Sequence, residues 1–141
     1  MRMICAFLLP LALVGCGSVP AGAGKSTPIP SERLLAYQQP VEGSGEIVVN
    51  RDIGMLGGGC YVAVLVDRQV AARIGIGESA SFHVPPGTRV LGIGLDEQDD
   101  TLCSKGRLRR ELAVPVANGE RLHFRIVSEA KSGFDIRPVT P

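Results

Sequence analysis

The chain has 141 residues, of which 45% are hydrophobic and 21% charged, and its formal net charge is +1. That length holds one small domain, and that apolar share separates it from disordered polyelectrolytes. The near balance of 15 basic and 14 acidic residues excludes the basic field of a nucleic-acid-binding surface, so no nucleic-acid partner is expected.

In chain order, Arg2 comes first, then an uncharged apolar run from Ile4 to Val14, then the small residues Gly15, Cys16 and Gly17. This is the layout of a secretory signal, and residues 1–15 are expected to be one. The run is far shorter than the roughly 20 residues a bilayer-spanning helix needs. Pro10 in its middle argues against a buried helix. The stretch Leu13-Val14-Gly15-Cys16 resembles the lipobox of bacterial lipoproteins. The resemblance implies cleavage before Cys16 and lipid on that cysteine. Because Gly17, and not Asp, follows Cys16, it also implies the outer membrane of a Gram-negative envelope, facing the periplasm. Several acyl chains would make the anchoring to the lipid bilayer stable, whereas one alone binds marginally.

Gly24-Lys25-Ser26 imitates the end of a phosphate-binding loop. That pattern needs a first glycine where Val19 stands. Pro28 and Pro30 also block the helix that should follow. Residues 16–30 are instead expected to be the lipidated cysteine and a flexible Gly-, Ser- and Pro-containing tether. Residues 31–141 then form a single β domain.

Strand periodicity dominates that domain. A first strand is expected from Leu34 to Gln38, with a short helix capped by Ser31 as the alternative. The stretch 46–51 is a second strand, and 52–59, with its run of glycines, is a loop. The valine-rich stretch 60–66 reads as a central strand. Asp67-Arg68 turns the chain into 69–75. In 78–84, Phe82 and Val84 share one side and Ser81 and His83 the other. Pro85-Pro86-Gly87 is a turn, and 88–94 is a strand. Residues 95–107 form an acidic loop, 108–116 a strand, and Asn118-Gly119 the strongest hairpin signal, of type I′. In 120–128, Leu122, Phe124 and Ile126 face one way and Arg121, His123 and Arg125 the other. The stretch 133–139 is an edge strand in which Pro138 is tolerated. Short strands at this spacing specify an all-β fold, a small antiparallel β-sandwich or partly open barrel.

Export bears on the cysteines. Cys5 would leave with the signal and Cys16 would carry lipid, so Cys60 and Cys103 remain together in an oxidising compartment. A structural disulfide is expected between them. Closing so long a loop is worth roughly 4 kcal/mol. A redox or metal role lacks both a CxxC pair and further ligands.

The stretch from Cys60 to Gly94 resembles a PEGA-type β module and the small uncharacterised β domains of bacterial lipoproteins. The matching features are Val66-Asp67, Gly77, Pro86-Gly87 and the strand from Val90, with Arg68 where the pattern has a glycine. The resemblance implies a small surface-tethered sandwich and transfers no catalytic residues.

Candidate chemistry is sparse. His83 and His123 are the only bases for a triad, both on outward faces and without a G-x-S-x-G elbow. They also lack a third zinc ligand at sensible spacing. Asp96, Glu97, Asp99 and Asp100 lack the inner glycine of an EF-hand and read as a solvated loop. With Arg107, Arg109 and Arg110 they form a candidate docking patch for an envelope protein or anionic polymer. The expectation is therefore a membrane-anchored binding or structural module with neither enzymatic activity nor a cofactor. The alternative is an inhibitor or immunity-type protein that presents loop 52–59 or 95–107 to an envelope-targeted enzyme.

Overall fold

The computed structural model describes residues 17–21, 26–54 and 59–140. The expected signal at 1–15 and Cys16 lie outside the described residues. Among the described residues there are nine strands: β1 (Thr27–Pro28), β2 (Gly45–Arg51), β3 (Val62–Val66), β4 (Gln69–Ile74), β5 (Glu78–Val84), β6 (Gly87–Leu95), β7 (Arg109–Val116), β8 (Arg121–Glu129) and β9 (Gly133–Pro138). They form two open sheets, ordered β1-β5-β2-β8-β9 and β4-β3-β6-β7. The all-β sandwich with one disulfide is therefore the fold.

Alternation builds the core. Val62, Val64 and Val66 of β3 point inward together with Leu91 and Ile93 of β6. From the first sheet, Ile47, Val49, Phe82, Val84, Phe124 and Ile126 meet them. Phe82 is fully buried, and burial of a side chain of that size is worth about 1.5–3 kcal/mol. The opposite alternation puts Ser81, His83, Arg121 and His123 outside, as the pattern dictated.

The β3–β4 hairpin turns at Asp67 and Arg68, with φ of 47° and 65°. A type I′ turn demands positive φ at both positions, usually from Asn or Gly. Asp67 is fixed from outside: its Oδ1 accepts from the Val90 amide at 2.9 Å and its Oδ2 from Arg89 at 3.1 Å. Beyond the turn the register slips between Val64 and Leu65, which leaves Ala71 as an extra residue on β4. Such a bulge re-aims the backbone. The Ala71 carbonyl accepts from the amides of Leu35 and Ala36 at 2.8 and 3.2 Å.

Three expectations are corrected. First, Asn118-Gly119 does not close a hairpin, because β7 and β8 belong to different sheets. Only Gly119 takes a positive φ, of 70°, so the type I′ twist that would lay β8 against β7 is missing. The chain crosses to the other sheet, and β8 runs parallel to β2. Gly45 makes that crossing possible, since a Cβ there would collide with the Val116 side chain. The remaining pairs are antiparallel except the short β1–β5 contact.

Second, Leu34–Gln38 is not a strand. A 3-10 turn at Ser31–Arg33 precedes it, and only Leu34 bridges, to Ala72. The segment crosses between sheets: Leu35 and Ala36 bind β4, while the Tyr37 carbonyl accepts from the His83 amide at 2.8 Å and Gln38 Nε2 donates to Ser81 O at 3.0 Å on β5.

Third, the described part of the expected tether is attached to the domain. Gly17 bridges Glu129 and Val19 bridges Ile53. Thr27 and Ile29 donate to Gly77 O and Ser79 O at 3.0 and 3.1 Å.

Candidate functional site

One end of the sandwich gathers the loops 52–54, 59–61, 75–77, 96–108 and 130–132 with the N-terminal segment. Arg51 organises it from within. Only 2% exposed, it donates through Nη1 to Cys60 O at 2.7 Å and Ile74 O at 2.8 Å. Its guanidinium lies 5.1 Å from the Phe134 ring centre. Burial lowers its pKa to about 10, against the opposing effect of the Glu78 charge. Beside it Asp52, also buried, receives Arg125 in a two-point contact at 3.0 and 2.6 Å.

A second arginine cluster flanks Tyr61. Arg33 lies 4.2 Å and Arg73 5.2 Å from its ring centre. Arg33 grips Glu78 through both oxygens at 3.0 and 2.9 Å. Arg73 grips Asp96 at 2.7 Å twice, and that hydrogen bond raises the Arg73 pKa. These pairs bind loop to strand across both sheets, and geometry of this kind is the strong form of the interaction. The expected disulfide is present: Cys60 and Cys103 are bridged with their Cα atoms 5.4 Å apart and 43 residues of separation. It joins the two loops that an inhibitor would present.

The outer face of the second sheet is concave. A groove of about 740 Å³ runs over Ala63, Leu65, Val70, Val90, Gly92 and Gly94. Its floor is low because Gly92 and Gly94 of β6, opposite Leu65 and Ala63 of β3, carry no side chains. A Cβ on Gly92 would lie 3.1 Å from the Arg110 carbonyl and 3.3 Å from Glu111 Cγ. The rim carries Arg68, Arg107, Arg109 and Arg110 against Glu97 and Glu111. Glu111 accepts from Arg68 at 3.3 Å and from Arg109 at 3.0 Å. These hydrogen bonds, that from Arg68 first, hold its carboxyl below the usual range. Among the described residues, Arg107 and Arg110 have no carboxylate partner.

The expected docking patch is thereby divided. Arg107, Arg109, Arg110 and Glu97 line the groove. Asp96 does not belong to a surface at all: it is 1% exposed and committed to Arg73. Asp99 turns inward on its own loop, accepting from the amide and hydroxyl of Thr101, which lowers its pKa. Asp100 is exposed. Among the described residues, none of these acids pairs with the three arginines, and no group of three or more His, Cys, Asp and Glu residues is arranged to hold a metal ion.

His83 and His123 lie on the outer face of the first sheet, in register with Glu46 and Val48 of β2. The sequence reading missed the groove floor, whose signal was the spacing Val90-x-Gly92-x-Gly94 on one side of a strand. It missed Arg51, Asp52 and Arg73 because burial of a charge is invisible in periodicity.

The fold defines a small β-sandwich with an open apolar face on one sheet. No family model, curated protein or solved structure matches the chain.

Proposed function

We propose that this is an exported lipoprotein, acylated at Cys16 and held at the outer membrane facing the periplasm. It acts by binding a protein partner of the envelope rather than by catalysis. Supporting the first part are the N-terminal charge, the apolar run and the Leu13–Cys16 motif. The binding role rests on the groove. Its floor is apolar, and its rim has four arginines against two glutamates. A segment of partner chain with apolar side chains and flanking carboxylates complements that surface, since Arg107 and Arg110 have no carboxylate partner among the described residues.

The test is a photo-crosslinking residue at Val70 in cells, read with and without the double reversal Arg107→Glu and Arg110→Glu. A specific adduct that the reversal abolishes supports the reading. An adduct that persists unchanged, or none at Val70, refutes it. Labelled palmitate reports the anchor separately.

The inhibitor reading keeps one observation in its favour. Leu102, 85% exposed, lies beside the bridged Cys103, so an apolar side chain is displayed on a pinned loop. In that case Leu102→Asp, and not the groove reversal, would abolish partner capture and restore a blocked enzyme's activity.

A further inference from the structure

The chain immediately after Cys16 is clamped to the first sheet. The Ser18 amide donates to Ser128 O at 3.0 Å. The Ser128 amide donates to Ser18 Oγ at 2.9 Å, and that hydroxyl donates in turn to Asp52 Oδ2 at 2.8 Å. Asp52 is itself held by Arg125. Val19 and Ile53 exchange both backbone hydrogen bonds, at 2.9 and 2.8 Å. The attachment therefore begins one residue from the proposed lipid site.

Apolar side chains are exposed at the same corner: Val19 at 58%, Ile53 at 46% and Ile76 at 39%. Val19 pairs with Ile53 directly. The 75–77 turn abuts them, since a Cβ on Gly77 would stand 3.6 Å from Ile53 Cγ1. Three segments distant in sequence thus present apolar side chains around Gly17–Val19.

We propose that this corner is a lipid-contact surface that sets the orientation of the domain on the bilayer. The proposal rests on acylation of Cys16 and adds to it a fixed pose. Acyl chains on the residue before Gly17 enter the membrane with no slack between them and the clamp. The surrounding surface is then brought to headgroup level, where Val19, Ile53 and Ile76 gain by leaving water. The turn at Asn118-Gly119, at the opposite end of the strands, points away.

The experiment uses the acylated mature protein in phosphatidylethanolamine vesicles doped with phosphatidylglycerol and a spin-labelled quencher lipid. Single fluorophores are placed through Ile76→Cys or Asn118→Cys, with the native disulfide intact. Mass spectrometry of the same sample reports lipid on Cys16. The expected result is several-fold stronger quenching at position 76 than at 118. Adding Ser18→Ala should bring position 76 toward the level of 118 without changing acylation. Equal quenching at both positions on acylated protein overturns the pose and leaves the anchor standing. Quenching at 76 that Ser18→Ala does not alter overturns the clamp as its cause. A mature chain without lipid on Cys16 overturns both readings.

Discussion

Replacing Asp96 with Asn keeps the shape of the side chain and removes its charge, and the structure sets the expected cost. Asp96 has 1% of its side chain exposed and takes both Arg73 contacts at 2.7 Å. Breaking a fully buried ion pair from one side costs about 3–5 kcal/mol, because the remaining charge is left without compensation. Arg73 keeps 18% exposure and the face of Tyr61 at 5.2 Å, so it recovers part of its solvation. The expected loss is therefore about 2–3 kcal/mol, by the same buried-pair reasoning. Against the roughly 5–15 kcal/mol available to a small domain, that is a large share. Urea unfolding of the oxidised protein should show a lower midpoint, and thermal unfolding a fall of roughly 8–16 °C. Changing both partners, Arg73→Met with Asp96→Leu, should recover most of the loss. A loss below about 0.5 kcal/mol for Asp96→Asn, the scale of an exposed pair, would refute the burial argument.

Replacing Cys60 and Cys103 with Ser opens a loop of 43 residues. It should cost about 4 kcal/mol, read from the urea midpoint against the oxidised parent; an unchanged midpoint counts against the bridge as a stabiliser. Arg68→Gly should stabilise by about 0.5–1 kcal/mol, because the left-handed conformation costs an L-residue about 1–2 kcal/mol and glycine returns part of that as unfolded-state freedom. A lower melting temperature would show that the exposed Arg68–Glu111 contact outweighs the backbone strain. Glu111 and Glu129 both lie below the ordinary carboxylate value of 4.5, through hydrogen bonds led by Arg68 and Arg137 respectively. The unfolded chain then binds the proton more tightly than the fold, so stability is full above about pH 4.5 and lost as pH falls through the folded values. The unfolding midpoint should be flat from neutrality to about pH 5 and decline below it, less steeply in Glu111→Gln; a midpoint that rises on acidification contradicts this sign.

Where local chemistry decided the structure, the sequence was readable. Alternation in 78–84 and 120–128 placed Phe82, Phe124 and Ile126 inside, and Asp67-Arg68 marked a true hairpin. The pairing of Cys60 with Cys103 followed from there being two candidates. Asn118-Gly119 misled because a dipeptide reports only a capacity for a turn. Which sheet the next strand joins is set by Gly45 admitting β2 against Val116. Leu34–Gln38 reads as a strand from its apolar residues, yet the amides of Leu35 and Ala36 go to the carbonyl of Ala71, the extra residue of a one-residue register slip, and no local pattern announces that slip. In the candidate site, the arginines at 107–110 were visible as a cluster. The buried Asp96 next to them was not, because its partner lies 23 positions earlier.

The segment from Thr27 to Gln38 has a consequence for self-association. A two-sheet sandwich has outermost strands whose free amides and carbonyls invite a neighbour to add on, the first step towards polymers and deposits. Here the segment occupies the margins of both β4 and β5. On the two remaining margins, β7 carries Pro115 and the charges Arg109 to Glu111, while β9 carries Pro138 and Arg137 tied to Glu129. Copies concentrated side by side would thus find no ready template for strand addition among the described strands, which favours crowding without concatenation.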